Sequence, residues 1–366
     1  MREQRNYGID LLRIIAMYMV LILHILGRGG VLESAKVLSV QYETAYFLET
    51  AAYCAVNCYA LISGYVGINA AYKYSNLCIL WLRVVFYTVG ITILYAVLVP
   101  SSVHKTTLIK NFFPVMTRQY WYFTAYVCLF LFIPLLNKAI HSMNRAQALT
   151  ISISLFVVFS ILPTIFGDKF GTNNGYSGLW LIILYIMGAC IKKWHLFESL
   201  TTIKAFAGYI LMVIISWGFK FAMEASAAFL GEDSVFGSYA AKCSNRLIEY
   251  ISPTILMAGI FLLLLFSKIT LNSFLKKCVP ILAPLAFSVY LINTNFFVWQ
   301  YIMPSRYVDY AGFPAPLLIA AVLGSALFIY ISCSAIDMIR VCIFKIFRIK
   351  ERLDKLEKKH IGNLWE

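Results

Sequence analysis

Residues 8–27 read GIDLLRIIAMYMVLILHILG. A helix of about 20 residues is about 30 Å long, the thickness of a bilayer's hydrocarbon core. Yet this stretch carries Asp10, Arg13 and His24, and a charged group at a helix centre opposes insertion by roughly 2.5–3.5 kcal/mol. An α-helix turns about 100° per residue, so Arg13 and His24, eleven positions apart, point within about 20° of each other. Asp10 and Met17 lie within about 60° of the same line. The ionisable groups therefore form one stripe, with Arg13 and His24 roughly 16 Å apart along the axis. Leu11, Ile15, Leu23 and Ile25 occupy the other faces. Asp10 stands at i, i+3 to Arg13 and is placed to orient it. Such a stripe predicts a water-accessible or ligand-filled passage to which the guanidinium and the imidazole are both presented.

The rest of the chain agrees with a membrane setting. Of 366 residues, 61% are hydrophobic and 13% charged, with a mean hydropathy of +0.77. Soluble domains run at about 45–50% apolar and about 25% charged. Apolar runs centre near Met17, Val56, Gly90, Leu129, Phe156, Leu184, Met212, Phe261, Tyr290 and Phe328. They predict an all-α membrane protein, a polytopic bundle of about ten transmembrane helices. With the N-terminus inside, 19 Lys and Arg fall on inner segments and 10 on outer loops, with Arg13 and Arg83 inside spans. That bias predicts both termini in the cytoplasm and a multi-pass protein of the cell membrane. Residues 1–343 form the bundle, and residues 344–366 a basic amphipathic cytoplasmic tail suited to an anionic lipid surface. The net charge of +14 follows from topology and tail. No RNA- or DNA-binding module accompanies it, so nucleic acid is not an expected partner. The nine cysteines show no CxxC or Cys/His spacing, and no metal is expected.

Four segments, in chain order, resemble the acyltransferase 3 family of integral membrane acyltransferases. GIDLLR, followed by ten residues between Arg13 and His24, resembles the family's first-helix signature. VNCYALISGYVG (residues 56–67) resembles the second-helix segment, with Ser63, Gly64 and Tyr65 as its closing group. YWYFTAYVCLFLFIPLLN (residues 120–137) resembles the Trp-aromatic entry and Pro-Leu-Leu-Asn exit of the fourth span. FSVYLINTNFFVW (residues 287–299) resembles a late helix that usually reads Tyr-Leu-Ile-His. Two departures stand out. Asn293 occupies the place of that His, and LWLR supplies Arg83 but puts Leu80 where many relatives carry a second arginine.

The resemblance implies transfer of an acyl group, usually acetyl, from acyl-CoA to a hydroxyl of a surface saccharide or its lipid-linked precursor. Acetyl-CoA is then a co-substrate, and no permanently bound cofactor is expected. Since the chain ends soon after the tenth span, it is expected to lack the extracytoplasmic hydrolase-like domain that some relatives fuse there. His24 is the one imidazole on an ionisable stripe, and His104, His141, His195 and His360 are expected in loops or the tail. A neutral imidazole can take the proton of an attacking hydroxyl or accept the acyl group and relay it; the sequence leaves both routes open. Arg13 and Arg83 suit the phosphates or pantetheine of acyl-CoA, with Asp10 fixing Arg13 and Ser63 near the donor. Asn57, Tyr59, Trp121, Tyr122, Asn293 and Asn295 are the candidate cavity-lining and substrate-binding groups. Asp337 and Arg340 read as a structural pair. The rival reading is a secondary transporter or flippase using Asp10, Arg13 and His24 as a proton relay; the two halves of the chain show no convincing repeat.

Overall fold

The computed structural model describes residues 5–99, 103, 105–231, 233–360 and 362. They are 79% helix and contain no strand, which establishes the all-α class. The helices that matter here are α1 (Tyr7–Leu26), α2 (Val40–Tyr53), α3 (Ala55–Gly67), α4 (Tyr74–Leu98), α5 (Trp121–Ser142), α6 (Arg145–Phe156), α7 (Gly178–Lys193) and α8 (Thr202–Leu230). After them come α9 (Pro253–Lys268), α10 (Ser273–Leu282), α11 (Ala286–Asn293), α12 (Ala315–Ile346) and α13 (Ile349–His360).

Among the described residues seven helices are long and apolar enough to cross a bilayer. They are α1, α4, α5, α6 with its continuation to Phe166, α8, α10 joined to α11, and α12. The remaining expected centres, Val56, Leu184 and Phe261, fall in α3, α7 and α9, which have 13, 16 and 16 residues. Of the ten expected centres, seven thus fall in helices of membrane-spanning length and three in shorter ones. The short helices tolerate their length because they lie inside the bundle, where protein rather than lipid meets them: Leu61, Tyr185 and Leu263 are all fully buried. The crossing centred on Val56 is also broken, since α2 and α3 meet at Cys54 instead of forming one helix.

Close packing in the middle rests on small residues. A side chain at Gly64 would put its Cβ 2.0 Å from the Tyr185 carbonyl oxygen, and one at Gly188 would come 2.1 Å from that of Leu61. Glycine lets α3 and α7 approach backbone to backbone, the usual device where lipid offers no hydrophobic drive for helix association. Polar ties lock the same pair. Asn57, fully buried, accepts from Trp180 Nε1 at 3.0 Å and donates to the Tyr250 carbonyl at 2.8 Å. Asn137 donates to the Gly67 carbonyl and accepts from Tyr185.

α1 is the most enclosed of the seven long helices, with 61% of its apolar window buried. Asn6 caps it by accepting from Ile9 N, and the same side chain donates to the Ser267 carbonyl at the end of α9. Gly8 lies against the Phe266 carbonyl, where a Cβ would come within 2.0 Å. Together these fix where α1 enters the bundle, and hence where its polar stripe points.

The last long helix runs to Ile346, past the expected boundary at residue 343, before a turn leads into α13. α13 docks on the bundle: Glu357 accepts from the backbone N–H groups of Tyr74 and Ser75, and Asp354 accepts from Ser75 Oγ. It caps the start of α4, whose own N-cap residue makes no side-chain bond.

Candidate active site

The two ends of the α1 stripe have different surroundings. At the N-terminal end, Asp10 is 4% exposed and receives both Arg5 and Arg13, each at 2.5 Å. The i, i+3 pairing expected from the sequence is present, with Arg5 as a second cation the pattern did not reveal. Two guanidinium partners satisfy a carboxylate that would otherwise be stranded.

At the other end His24 borders a cavity of about 430 Å³. Asn293 ends α11 beside it, and its Oδ1 lies 2.6 Å from His24 Nδ1. The Asn293 Nδ2 is turned to Met303 Sδ at 3.6 Å, so the group facing the imidazole is an acceptor. Nδ1 therefore carries the proton and donates, which leaves the lone pair on Nε2. Nε2 makes no protein hydrogen bond among the described residues. Trp299 packs edge-on against the ring, with centroids 4.8 Å apart. A π-helical turn over Val298–Ile302 brings that indole in; such turns often accompany functional sites.

On α1 the cavity is walled by Met17, Val20 and His24, the C-terminal part of the predicted stripe, and also by Leu23, which the spacing had put on another face. Tyr59, Trp121 and Tyr122 line it as expected, together with Glu49, Tyr53, Gln119, Tyr176, Tyr250 and Tyr290, which the sequence reading did not single out. The aromatic side is continuous. Trp121 and Tyr250 stack at 25° with centroids 6.1 Å apart, and Tyr176 packs on both at 4.6 and 5.0 Å.

Other predicted residues lie elsewhere. Arg13 is not part of the cavity wall: Met17 and Tyr59 close its floor, and the Tyr59 hydroxyl donates to the Arg13 backbone carbonyl at 2.6 Å. The expected common passage is therefore divided, because an aromatic side chain from α3 occupies the level between the two groups. Asn57 has its amide committed to Trp180 and Tyr250, and is structural glue instead of lining. Asn293 stands behind His24, and Asn295 donates to the Tyr120 hydroxyl while its Oδ1 caps Phe297 N. Ser63 back-bonds to the Tyr59 carbonyl, beside the Gly64 helix contact. Arg83 donates to the Pro284 carbonyl at 3.1 Å, away from the cavity.

Of the other histidines, His141 sits in the last turn of α5 rather than in a loop, 3.1 Å from the Ile68 carbonyl. His195 pairs with Glu198 in an exposed turn, and His360 ends α13; His104 lies outside the described residues. Asp337 and Arg340 form the expected pair, bidentate at 2.7 and 2.8 Å, and Tyr87 donates to the same carboxylate. Among the described residues one imidazole thus borders the cavity, held through one nitrogen and open at the other.

A family model described as an acyltransferase domain, acyltransferase 3, matches residues 6–336. The chain belongs to the acyltransferase 3 family. No curated protein and no solved structure matches it. Family and fold together make this a membrane acyltransferase with multiple apolar helices. In this acyltransferase 3 protein Asn293 supplies the acceptor that meets the His24 imidazole.

Proposed function

We propose that this membrane acyltransferase moves an acetyl group from acetyl-CoA to a hydroxyl of an extracytoplasmic or lipid-linked saccharide of the capsular or exopolysaccharide type. The observation that carries the reading is the imidazole of His24, oriented through Nδ1 by Asn293 and bordering an aromatic-lined cavity with its second nitrogen unbonded.

In this reading Nε2 takes the proton of the acceptor hydroxyl as its oxygen attacks the thioester carbonyl. The tetrahedral intermediate collapses by breaking the carbon–sulfur bond, and the departing thiolate takes the proton from the imidazolium. The neutral imidazole is restored, and the products are an ester and free CoA thiol. An acyl-imidazole formed first on Nε2 reaches the same products in two displacements. Asn293 serves either route by fixing the tautomer and the ring plane.

The donor is assigned to the Arg13 side of the membrane, taken as the cytoplasm from the distribution of Lys and Arg. Arg13 is 30% exposed and held by Asp10. It and Arg83, whose Nε has no partner, would receive the phosphates or pantetheine amides of acyl-CoA. The thioester must then pass Tyr59 to reach His24, so entry of the donor requires that ring to swing aside.

The test is acetyl-CoA turnover by the purified full-length protein in lipid nanodiscs, followed by thiol release, with glycan mass spectrometry of cells with and without the chain. Turnover that disappears in His24→Ala supports the reading. Movement of solute or lipid across the membrane with no thiol release would replace it by a transporter or flippase.

A further inference from the structure

Among the described residues Glu49 is the one carboxyl side chain on the wall of the His24 cavity. It lies on α2, one turn before Tyr53, and the i, i+4 spacing turns both to the cavity. Its Oε2 is buried and has no hydrogen-bond partner. Among the described residues ten side chains have such an orphaned buried atom, and Glu49 is the only one of them that lines this cavity. A buried acceptor left unpaired costs about 1–3 kcal/mol, more if charged, and calls for an explanation.

Among the described residues no cation pairs with Glu49. Lys220, buried on α8, is engaged by Glu224 and by Asn245 Oδ1 at 3.1 Å, and its Nζ lies over the Tyr46 ring at 3.8 Å. Glu224 also accepts from Tyr42. Neither carboxyl oxygen of Glu49 is hydrogen-bonded by a described residue: Oε2 is enclosed, and Oε1 is the oxygen left accessible on the cavity wall, next to flat aromatic faces from Tyr53, Tyr250 and Trp121. A ligand complementary to this wall carries hydroxyl donors on its rim and an apolar ring face, and the cavity volume lies within the range of small-molecule sites.

We propose that Glu49 is the acceptor-positioning residue. Its carboxyl accepts hydrogen bonds from one or two ring hydroxyls of an uncharged pyranose whose face lies against the Trp121–Tyr250 aromatics, and so turns a further hydroxyl of that ring toward His24. This rests on the acyltransfer reading and adds to it an acceptor class and the group that selects it.

The experiment pairs Glu49→Gln with removal of hydroxyls from the acceptor. Wild-type and variant protein in nanodiscs are given saturating acetyl-CoA and methyl β-D-glucopyranoside, its 2-, 3- and 4-deoxy analogues, or the corresponding cationic glucosaminide. Thiol release is measured against acceptor concentration. The expected result is an acceptor KM at least tenfold higher in Glu49→Gln, with the KM for acetyl-CoA changed less than twofold. A deoxy analogue that costs wild-type protein tenfold in KM should cost Glu49→Gln almost nothing, since the partner of the missing hydroxyl is already gone. A deoxy analogue that abolishes turnover outright marks the reacting hydroxyl.

The proposal is overturned if Glu49→Gln keeps wild-type KM values and the same deoxy pattern. It is overturned too if wild-type protein prefers the glucosaminide and the variant loses that preference, which would make the wall a cation site. Thiol release by wild-type protein that no glycoside accelerates sinks this inference and leaves the acyltransfer reading standing. Absence of any thiol release sinks that reading itself, and this one with it.

Discussion

The Asp10–Arg13 pair and His24, which Asn293 meets from α11, lie on one face of α1, roughly 16 Å apart along the axis, and their surroundings are built on opposite principles. At the Asp10 end the buried group is matched: one carboxylate takes an N–H from each of two guanidinium groups. At the His24 end one nitrogen is anchored and the other faces a cavity. A matched ion pair sets position and spends its interaction energy on the fold, whereas a half-matched imidazole keeps a lone pair for a ligand. The lesson is that membrane burial of a polar residue does not by itself mark chemistry; an unspent bond pointing into space does.

That contrast can be broken, most severely at His24. His24→Ala should lower acyl transfer by about 10²–10⁴-fold while the protein still inserts and elutes as wild type, checked by thiol release and size-exclusion chromatography. Wild-type rates in this variant would remove the distinction between the two ends. Next comes the anchor. Asn293→Leu takes away one buried hydrogen bond, about 1–3 kcal/mol, so kcat should fall roughly tenfold to hundredfold. Asn293→Asp, which keeps an acceptor for Nδ1, should retain more activity than the leucine variant. If both behave as wild type, Asn293 does not orient the ring.

The matched end should answer differently. Arg13→Gln is expected to raise the KM for acetyl-CoA about tenfold and change kcat little. Asp10→Asn should show mainly as a lower melting temperature, because Arg5 and Arg13 lose their common partner. A collapse of kcat in Asp10→Asn with normal stability would move Asp10 into the chemistry.

The smallest effect is expected at the tail. Glu357→Gln weakens the cap on α4, worth about 1 kcal/mol, and should speed hydrogen exchange in α13 without altering acyl transfer. The Ser75 hydroxyl bond, opposed by burial and helped by Lys350, Lys73 and Lys358, holds the Asp354 carboxyl below its ordinary value of 3.8. A carboxyl depressed in the folded state stabilises above its unfolded value and loses that contribution as pH falls through the folded one. The protection of α13 amides, taken relative to their base-catalysed intrinsic exchange rate, should therefore stay flat from pH 5 to 8 and fall only in acid below about 4.

Much of the site was legible because helical geometry is strict: the stripe on α1, the Asp10–Arg13 pairing and the cavity beside His24 all follow from residue spacing. Tyr59, Trp121 and Tyr122 were reachable from their aromatic settings. Glu49 was not, because it lies in QYETAYFLET (residues 41–50), too polar to read as part of a span. The break at Cys54 that folds this segment against the cavity has no strong signal of its own. The one available hint was Glu49 and Tyr53 at i, i+4. Asn57 misled for a related reason: a polar residue in an apolar run looks like lining, and only its partners Trp180 and Tyr250, far away in sequence, show it to be a tie.

Composition and periodicity alone determined that this is an all-helical membrane protein with a polar face on its first helix, since hydrocarbon admits few backbone solutions and a helix repeats its directions by fixed geometry. Tertiary structure alone decided which polar groups were satisfied and which were left open. That depends on contacts such as His24 with Asn293, 269 positions apart, and on a tyrosine from α3 closing the floor between Arg13 and the cavity. Hydrogen bonding is short-ranged in space and indifferent to separation along the chain, so no local pattern could have told the two ends of the stripe apart.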